Sequence, residues 1–235
     1  MAPYPEPPAL APLLDSRRGE EQDPVVFNPD RWVHELQDVL TEDFIRLALE
    51  SDDTTTLVGL GQRSVTRHTI NWLADSTDLT DDDQVLSLWL LVLAWGNGKQ
   101  SRWGFQNAAK SLAQPGALLD NLRQTSAILR AAANTSELAT AYRTWRPGLS
   151  VGESFFSKWF TFAGRQDGRN WQPLILDENI WNTLNQTLEL TVSELAGSRQ
   201  PAAKYQAYVE AVHEWAGSPS RAQWIEWVLF SRDGK

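Results

Sequence analysis

The sequence predicts an all-α fold with a minor β element, and three observations support this prediction. Beyond residue 24, apolar residues recur three and four positions apart, which is typical of amphipathic helices. Residue types that cap helix N-termini precede several of these segments. Alternation with a period of two, the pattern of a half-buried strand, is confined to residues 54–60 and 173–176.

The elements can be placed along the chain in order. Residues 1–24 are rich in proline and then in charge, so we expect a flexible arm there. Residues 25–235 are expected to form a single two-lobed domain, since 235 residues with 42% hydrophobic composition can build a sizeable core. Helical periodicity is clearest at 32–40, 44–48 and 85–93. No internal repeat of fixed period is present.

Four further helix starts are indicated by capping residues. Thr80 followed by Asp83 resembles a capping box, and Ser136 precedes Glu137. Asp177 stands immediately before another apolar helical segment. The dipeptide Ser218-Pro219 has the form of an N-cap followed by proline at the first helical position, and it opens the last helix.

The composition excludes several classes of protein. With no cysteine and only three scattered histidines, the chain lacks the residues of a disulfide framework, a thiolate centre or a typical zinc site, so we expect no cofactor. The longest apolar run, 88–95, is far shorter than the ~20 residues that cross a bilayer. The N-terminus lacks the basic and apolar regions of a signal peptide. We therefore expect a cytoplasmic protein, with no membrane partner.

Charge and tryptophan content are both unusual. The net charge is -9, but residues 1–90 carry 6 basic and 18 acidic side chains, whereas residues 91–235 carry 15 and 12. An anionic partner is therefore expected on the second segment. The chain has 12 tryptophans, more than one core normally uses, so we expect some of them to line a groove or pocket.

The segment 137–163 is predicted to form a helix, a tight turn and a second helix. Its sequence Gly-Leu-Ser-Val-Gly at 148–152 also matches the G-x-S-x-G motif of serine hydrolases, but that motif follows a buried strand, and here a helix that Pro147 ends comes before it. Backbone N–H groups at the start of the second helix, with Arg146 nearby, favour a phosphate contact. Gly148 and Gly152 suit a turn whose backbone a binding partner approaches closely.

Two side chains in and after this segment have catalytic character. Lys158 is flanked by aromatic residues, and an apolar setting favours the uncharged, nucleophilic amine. A lysine that extends from a core helix toward solvent is the structural alternative. Asp177 is expected at a helix N-terminus, where N–H groups stabilise a carboxylate that could in turn stabilise a developing cation. By contrast, the acidic run 81–83 complements a helix dipole and does not require a metal ion.

The order of these features resembles the helix-hairpin-helix DNA glycosylases, and among them the 8-oxoguanine DNA glycosylases. The hairpin 147–152, a lysine-bearing helix and then Leu176-Asp177 follow one another as in that family. The stretch 222–233 looks like the last helix of the eukaryotic enzymes, which supplies a base-reading Gln and a stacking Phe. The loop 93–101 stands where the family inserts a loop into the duplex. The resemblance spans roughly residues 85–235.

The resemblance implies a two-lobed helix-hairpin-helix glycosylase fold, no cofactor, and a monomer that binds double-stranded DNA containing a modified base. The residues that it assigns are Lys158 and Asp177 for catalysis, Glu226, Phe230 and Trp227 for the base pocket, and Asn97, Lys99, Arg146, Gly148 and Gly152 for DNA binding.

Two positions depart from the family pattern. Most members have their lysine where this chain has Ser154, and Lys158 lies one helical turn later in an aromatic context that resembles the archaeal enzymes. Glu226 replaces the base-reading Gln. Because a carboxylate only accepts hydrogen bonds, it is expected to favour a base edge with donors, such as that of guanine or cytosine. Alternatively, Glu226 is a solvated surface residue.

The expected function is removal of a modified base from DNA by cleavage of its N-glycosidic bond, after the nucleotide has left the helix. The attacking group is either Lys158, which would permit strand cleavage through a Schiff base, or water. The substrate is either 8-oxoguanine, as in repair, or a bulkier base such as glucosylated hydroxymethylcytosine in phage DNA, as in antiviral defence. A non-catalytic helical DNA-binding module is the alternative from another class.

Overall fold

The computed structural model describes residues 4–98, 102–145, 149 and 151–231. Within these residues the chain forms thirteen helices and three short strands, which confirms the predicted all-α fold with a minor β element. In order, the elements are α1 Leu10–Asp15, β1 Val25–Phe27, α2 Pro29–Leu36, α3 Glu42–Glu50, β2 Thr56–Gly59, β3 Gln62–Val65, α4 Arg67–Ser76, α5 Asp82–Gly96, α6 Arg102–Leu112, α7 Pro115–Ala131, α8 Ser136–Thr144, α9 Glu153–Ala163, α10 Glu178–Gln186, α11 Val192–Ala196, α12 Pro201–Ala216 and α13 Pro219–Ser231.

The core is organised around helix α5. Ten of its fifteen residues are buried, and the helix packs against α3, α4, α7 and α9, which explains why it is apolar on all sides. Several tryptophans belong to this core. The Trp89 ring lies 5.8 Å from that of Trp159 and 6.0 Å from that of Trp145. Much of the tryptophan excess therefore packs inside the fold.

Helix starts agree with the capping residues, with two shifts. Helix α8 begins at Ser136 itself and not after it, because the side chain of Asn134 accepts the Ser136 N–H at 2.9 Å. Asp177 caps α10 by accepting the N–H of Ile180 at 3.2 Å, as predicted. Helix α5, however, begins after Asp81 and not after Thr80. One oxygen of the Asp81 carboxylate accepts two backbone N–H groups, at 2.9 and 3.0 Å, whereas the Thr80 hydroxyl donates to Asp78. Asp81 therefore satisfies two orphan donors of the helix, which Thr80 does not do.

The three strands form one antiparallel sheet in the order β1-β3-β2. Val25 of β1 stands opposite Val65 of β3, and Thr56 of β2 stands opposite Ser64. Strand β2 lies within the predicted extended stretch 54–60. Strands β1 and β3 were not predicted, because three or four residues are too few to display a clear alternation. The sheet helps to position helix α4, because β3 ends at Val65 and α4 begins at Arg67.

The second predicted extended stretch, 173–176, crosses the core without pairing to a strand. Side chains satisfy its backbone groups instead. The Ile175 N–H donates to Glu226 at 2.6 Å, the Leu176 N–H donates to Ser157 at 3.1 Å, and the Leu174 carbonyl accepts the Tyr205 hydroxyl at 2.8 Å. These bonds fix the segment that ends at the catalytic candidate Asp177.

The N-terminal segment that we predicted to be a flexible arm packs against the domain over residues 4–24. Leu10 is fully buried, and helix α1 contacts α13. The Tyr4 hydroxyl donates to Glu210 at 2.8 Å. Leu10 and Leu14 make one apolar face on a helix of only six residues, which is too short for periodicity to reveal. None of the helices in the described ranges combines the length and apolar character that a bilayer crossing requires.

Candidate active site

The two residues predicted to be catalytic lie in contact. Lys158 Nζ is 3.3 Å from Asp177 Oδ2, and their side chains are 5% and 8% exposed. The ammonium also donates to the carbonyl and the hydroxyl of Ser154, at 2.9 and 3.0 Å. Ser154 occupies the position where most glycosylases of the resembled family have their lysine. In this chain Ser154 instead accepts hydrogen bonds from Lys158, which lies one helical turn later.

Local sequence explains how the two groups meet. Ser154 and Lys158 lie four residues apart on α9, so they share one face of the helix. Asp177 is fixed because its other oxygen caps α10. Gly96, at the end of α5, leaves room for the lysine, since a Cβ there would lie 2.9 Å from Lys158 Cδ. The Phe155 ring centre is 5.7 Å from Nζ, in keeping with the predicted aromatic setting.

The pair opens into a cavity that also contains every residue predicted for the base pocket. Trp227 and Phe230 are partly buried on helix α13 and contribute aromatic surface. The remaining lining residues come from the N-terminal segment, from β1, from helices α4, α5 and α10, and from the stretch before Asp177. The complete lining is Gln22, Val25, Arg67, Trp95, Gly96, Lys158, Ile175, Asp177, Ile180, Glu226, Trp227 and Phe230.

Glu226 is buried, so the alternative of a solvated surface residue is wrong. It is 1% exposed. One carboxylate oxygen accepts from Arg67 Nη2, and the other accepts the N–H of Ile175 at 2.6 Å. Burial raises the pKa of the Glu226 carboxyl, and the charge and hydrogen bond of Arg67 oppose that effect. The carboxylate is therefore engaged within the protein before any base arrives.

Arg67 and Gln22 are cavity residues that the sequence analysis missed. Arg67 is the first residue of α4, and its side chain is 13% exposed. Gln22 belongs to the segment that was taken for an arm. Neither stands in a recognisable motif, and the first of the other polar lining residues along the chain, Lys158, is 91 positions from Arg67 and 136 positions from Gln22. In the structure Thr66 caps α4, but a capping residue before Arg67 would indicate only a helix start and not a cavity residue.

The predicted DNA-binding residues are only partly within the described chain. Gly152 is exposed at the N-cap of α9, and no atom beyond its chain neighbours lies within 4 Å of where its Cβ would be. Asn97 caps the end of α5 and is buried, which does not suit a group that inserts into DNA. Lys99, Arg146 and Gly148 lie outside the described residues. Among the residues that are described, no group of three or more histidine, aspartate or glutamate side chains is arranged to hold a metal ion.

Comparison with protein families decides the assignment. A sequence model of the family described as "Putative 8-oxoguanine DNA glycosylase OGG-like protein" matches residues 18–230. The chain belongs to this OGG-like family. Membership suggests a function of the DNA glycosylase type and implies DNA as the partner. No curated protein and no solved structure matches the chain.

Proposed function

We propose that the protein is a DNA glycosylase that removes a modified base from double-stranded DNA and leaves an abasic site. The observation that carries this proposal is the buried Lys158–Asp177 pair, which opens into an aromatic cavity. Burying two charges costs free energy that their attraction rarely exceeds, so such a pair is poorly explained by stability alone. In a reaction that develops positive charge on a sugar, the carboxylate of this pair would stabilise that charge.

The cavity requires that the target nucleotide leave the helix. An enzyme cannot reach the glycosidic bond of a stacked base, and extrusion moves the base into a pocket of its own. Trp227 and Phe230 offer flat apolar surfaces on which an extruded base would stack. The sugar would then lie at the mouth of the cavity, beside Lys158 and Asp177.

In the proposed reaction the bond between C1′ and the base nitrogen breaks, and the base leaves with the bonding electrons. The sugar becomes oxocarbenium-like, and the fixed carboxylate of Asp177 stabilises that charge. The new bond to C1′ forms either from Lys158 Nζ or from water. If Lys158 attacks, it must do so as the uncharged amine, so the proton that its ammonium gives up passes to the departing base, and a Schiff base and strand cleavage follow. If water attacks, the proton that it loses passes to the departing base instead, and the product is a simple abasic site.

DNA binding is proposed to use the start of α9 despite the net charge of -9. The exposed Gly152 leaves space for a phosphate to approach backbone N–H groups, and Arg143 is exposed on the preceding helix. Arg146, Gly148 and Lys99 are proposed to add contacts from the adjoining segments. Exchange of Arg146 for Glu should weaken binding to all duplexes alike, and binding should fall with rising salt. A loss confined to one modified base would instead place Arg146 in the pocket.

The family favours 8-oxoguanine as substrate, and a glucosylated hydroxymethylcytosine is the second candidate, since its sugar could stack on the indoles at the cavity. A non-catalytic binding module has no use for the buried ion pair, so we favour the enzyme.

The test is incubation with duplexes that each contain one modified base, followed by alkali, which cleaves the strand at abasic sites. Strand breaks are expected with at least one base and not with the unmodified duplex. Absence of breaks across the panel would contradict the proposal. Borohydride would then decide the route, because it traps a covalent adduct only if an amine attacks. Trapping should disappear in Lys158→Gln, and trapping that persists would assign the nucleophile elsewhere.

A further inference from the structure

The polar groups of the cavity fall into two sets. Lys158 and Asp177 bond to each other and are assigned to the sugar. The other polar lining residues are Gln22, Arg67 and Glu226. Both oxygens of Glu226 already accept hydrogen bonds from the protein, and its charge is matched by Arg67. Hydrogen bonds to a base must therefore come chiefly from Arg67 and Gln22.

Arg67 retains donors for such a contact. Only its Nη2 donates to Glu226, while Nε and Nη1 are buried and have no acceptor in the described part of the chain. The guanidinium carbon lies 5.6 Å from the ring centre of Trp95 and 6.0 Å from that of Phe162. Buried N–H groups without an acceptor are costly, and a ligand that supplies an acceptor recovers that cost.

Most of the buried polar atoms of the lining residues that lack a hydrogen-bond partner are donors. Trp95 Nε1 is also buried without an acceptor among the described residues, and Gln22 Oε1 is buried without a donor. The complementary base edge therefore presents a carbonyl oxygen to Arg67, with at most one N–H for Gln22. An exocyclic amino group in place of that carbonyl would direct N–H donors at a guanidinium, which only donates.

We propose that Arg67 reads the extruded base by donating to a carbonyl oxygen on its edge, and that Glu226 is the positioning residue that holds the guanidinium in place. This inference rests on the proposed function. It replaces the expectation that Glu226 itself accepts hydrogen bonds from donors on the edge of the base. For purines, it makes a 6-oxo base the preferred occupant of the cavity over the corresponding 6-amino base.

The test uses two duplexes of identical sequence that contain either 8-oxohypoxanthine, with a carbonyl at C6 and an N–H at N1, or 8-oxoadenine, with an amino group at C6 and no hydrogen at N1. Single-turnover release rates are measured for the wild type and four variants. Arg67→Lys keeps a cation for Glu226 but lacks the guanidinium fork. The double variant Arg67→Met with Glu226→Gln leaves no charge unpaired. The amide oxygen of the glutamine introduced at position 226 can still accept the N–H of Ile175. Glu226→Gln alone keeps Arg67. Arg46→Gln, on the exposed side of α3, controls for the loss of a paired arginine elsewhere.

The wild type and Arg46→Gln are expected to release the 6-oxo base roughly tenfold faster or more, which is the discrimination of one good base contact. Glu226→Gln should keep the direction of this preference, whereas Arg67→Lys and the double variant should lose most of it. The inference is overturned if the wild type shows no preference or if the double variant keeps it in full. It is equally overturned if Glu226→Gln abolishes the preference while Arg67→Lys retains it.

A second readout separates this inference from the proposed function. The free bases 8-oxohypoxanthine and 8-oxoadenine are titrated into the full-length protein, and quenching of tryptophan fluorescence reports binding beside Trp95 and Trp227. Tighter binding of the 6-oxo base that depends on Arg67 supports the inference even if no base is ever released from DNA, a result that would reject the glycosylase proposal alone. Equal binding of the two bases by the wild type and the Arg67 variants rejects the inference. Melting curves confirm that each variant is folded.

Discussion

At the residue scale, the ammonium of Lys158 is fully engaged by three acceptors. It donates to two oxygens of Ser154 and to Asp177, so its position is fixed and its charge is matched. Because Lys158 is held in this way, it also fixes the Asp177 carboxylate, which is the group proposed to stabilise the positive charge that develops on the sugar. The hydroxyl of Ser154 is therefore proposed to hold the lysine, although the resembled family usually has its lysine at that position.

Exchange of Ser154 for Ala tests this assignment. The change removes one of the three acceptors of Lys158 and leaves the backbone carbonyl in place, so the rate of base release should fall several-fold. Lys158→Gln should reduce release much further, since it removes the amine while an amide N–H can still bond Asp177. Single-turnover release measures both variants. Equal losses in the two would show that Ser154 takes a direct part in the reaction.

The sequence could predict Lys158 and Asp177 because they stand in local patterns, a lysine among aromatic residues and a helix-capping aspartate. Glu226, Trp227 and Phe230 came from the resemblance of the last helix. Arg67 could not be predicted, because its role depends on a contact with Glu226, 159 residues away, and it has no local signature.

At the element scale, helix α9 positions Lys158, the proposed catalytic lysine, and glycines let neighbouring segments approach closely. Gly96 of α5 faces the Lys158 side chain. Gly164, which ends α9, would place a Cβ 2.6 Å from the backbone oxygen of Phe160 and 2.6 Å from Leu129. One glycine meets a flexible side chain and the other meets backbone, so substitutions at the two should have different consequences.

Gly96→Ala should reduce base release about tenfold with little loss of stability. A Cβ there would lie 2.9 and 3.2 Å from Lys158 Cδ and Cε, and the flexible chain can shift at the expense of its catalytic position. Gly164→Ala, the matched control, should instead lower the free energy of unfolding by about 1 to 3 kcal/mol, since rigid atoms must move. Release rates and urea unfolding distinguish the two effects. Normal release by Gly96→Ala would argue against a precise position for Lys158.

The N-terminal segment gives a second prediction at this scale. Leu10→Ala removes a fully buried side chain from α1, the helix that contacts α13, and should lower the free energy of unfolding by about 2 to 5 kcal/mol. A loosely attached arm would give no measurable change in urea unfolding. Exchange of the exposed Ala11 for Gly, on the same helix, controls for effects of helix propensity.

Helices α3 and α5 were predictable because apolar residues recur at helical spacing within them, at 44–48 and 85–93. The strands β1 and β3 and the helix α1 were not, since each is too short to display a period. The stretch 173–176 was predicted to be extended, but sequence could not show that side chains, including Glu226 and Ser157, would satisfy its backbone.

At the scale of the whole molecule, stability should depend on pH through His213. Burial lowers the pKa of this histidine, against a smaller opposing contribution from its hydrogen bond with the backbone of Gln172. The unfolded chain therefore binds a proton more readily than the folded one as the pH falls below about 6.5, the ordinary value. His213 contributes stability above that pH, and the contribution is lost as the pH falls through the folded-state value.

The melting temperature of the wild type should fall more between pH 7.5 and 5.5 than that of His213→Gln. The amide of Gln can still bond Gln172 but does not titrate. The difference between the two proteins isolates His213 from the carboxyls of Glu153 and Glu226, whose pKa values are raised by burial and act in the opposite direction. Parallel curves would show that His213 does not control the acid sensitivity of the fold.

The central claim is that the Lys158–Asp177 pair cleaves a glycosidic bond, and Asp177→Asn tests it most directly. The amide keeps an oxygen for the cap of α10 but removes the negative charge that faces the sugar. Single-turnover release from the preferred modified duplex should fall by a factor of about 100 to 1,000, as when a preorganised charge-stabilising group is lost. Duplex affinity and melting temperature should change little. Release at the wild-type rate by a folded, DNA-binding Asp177→Asn protein would contradict the account.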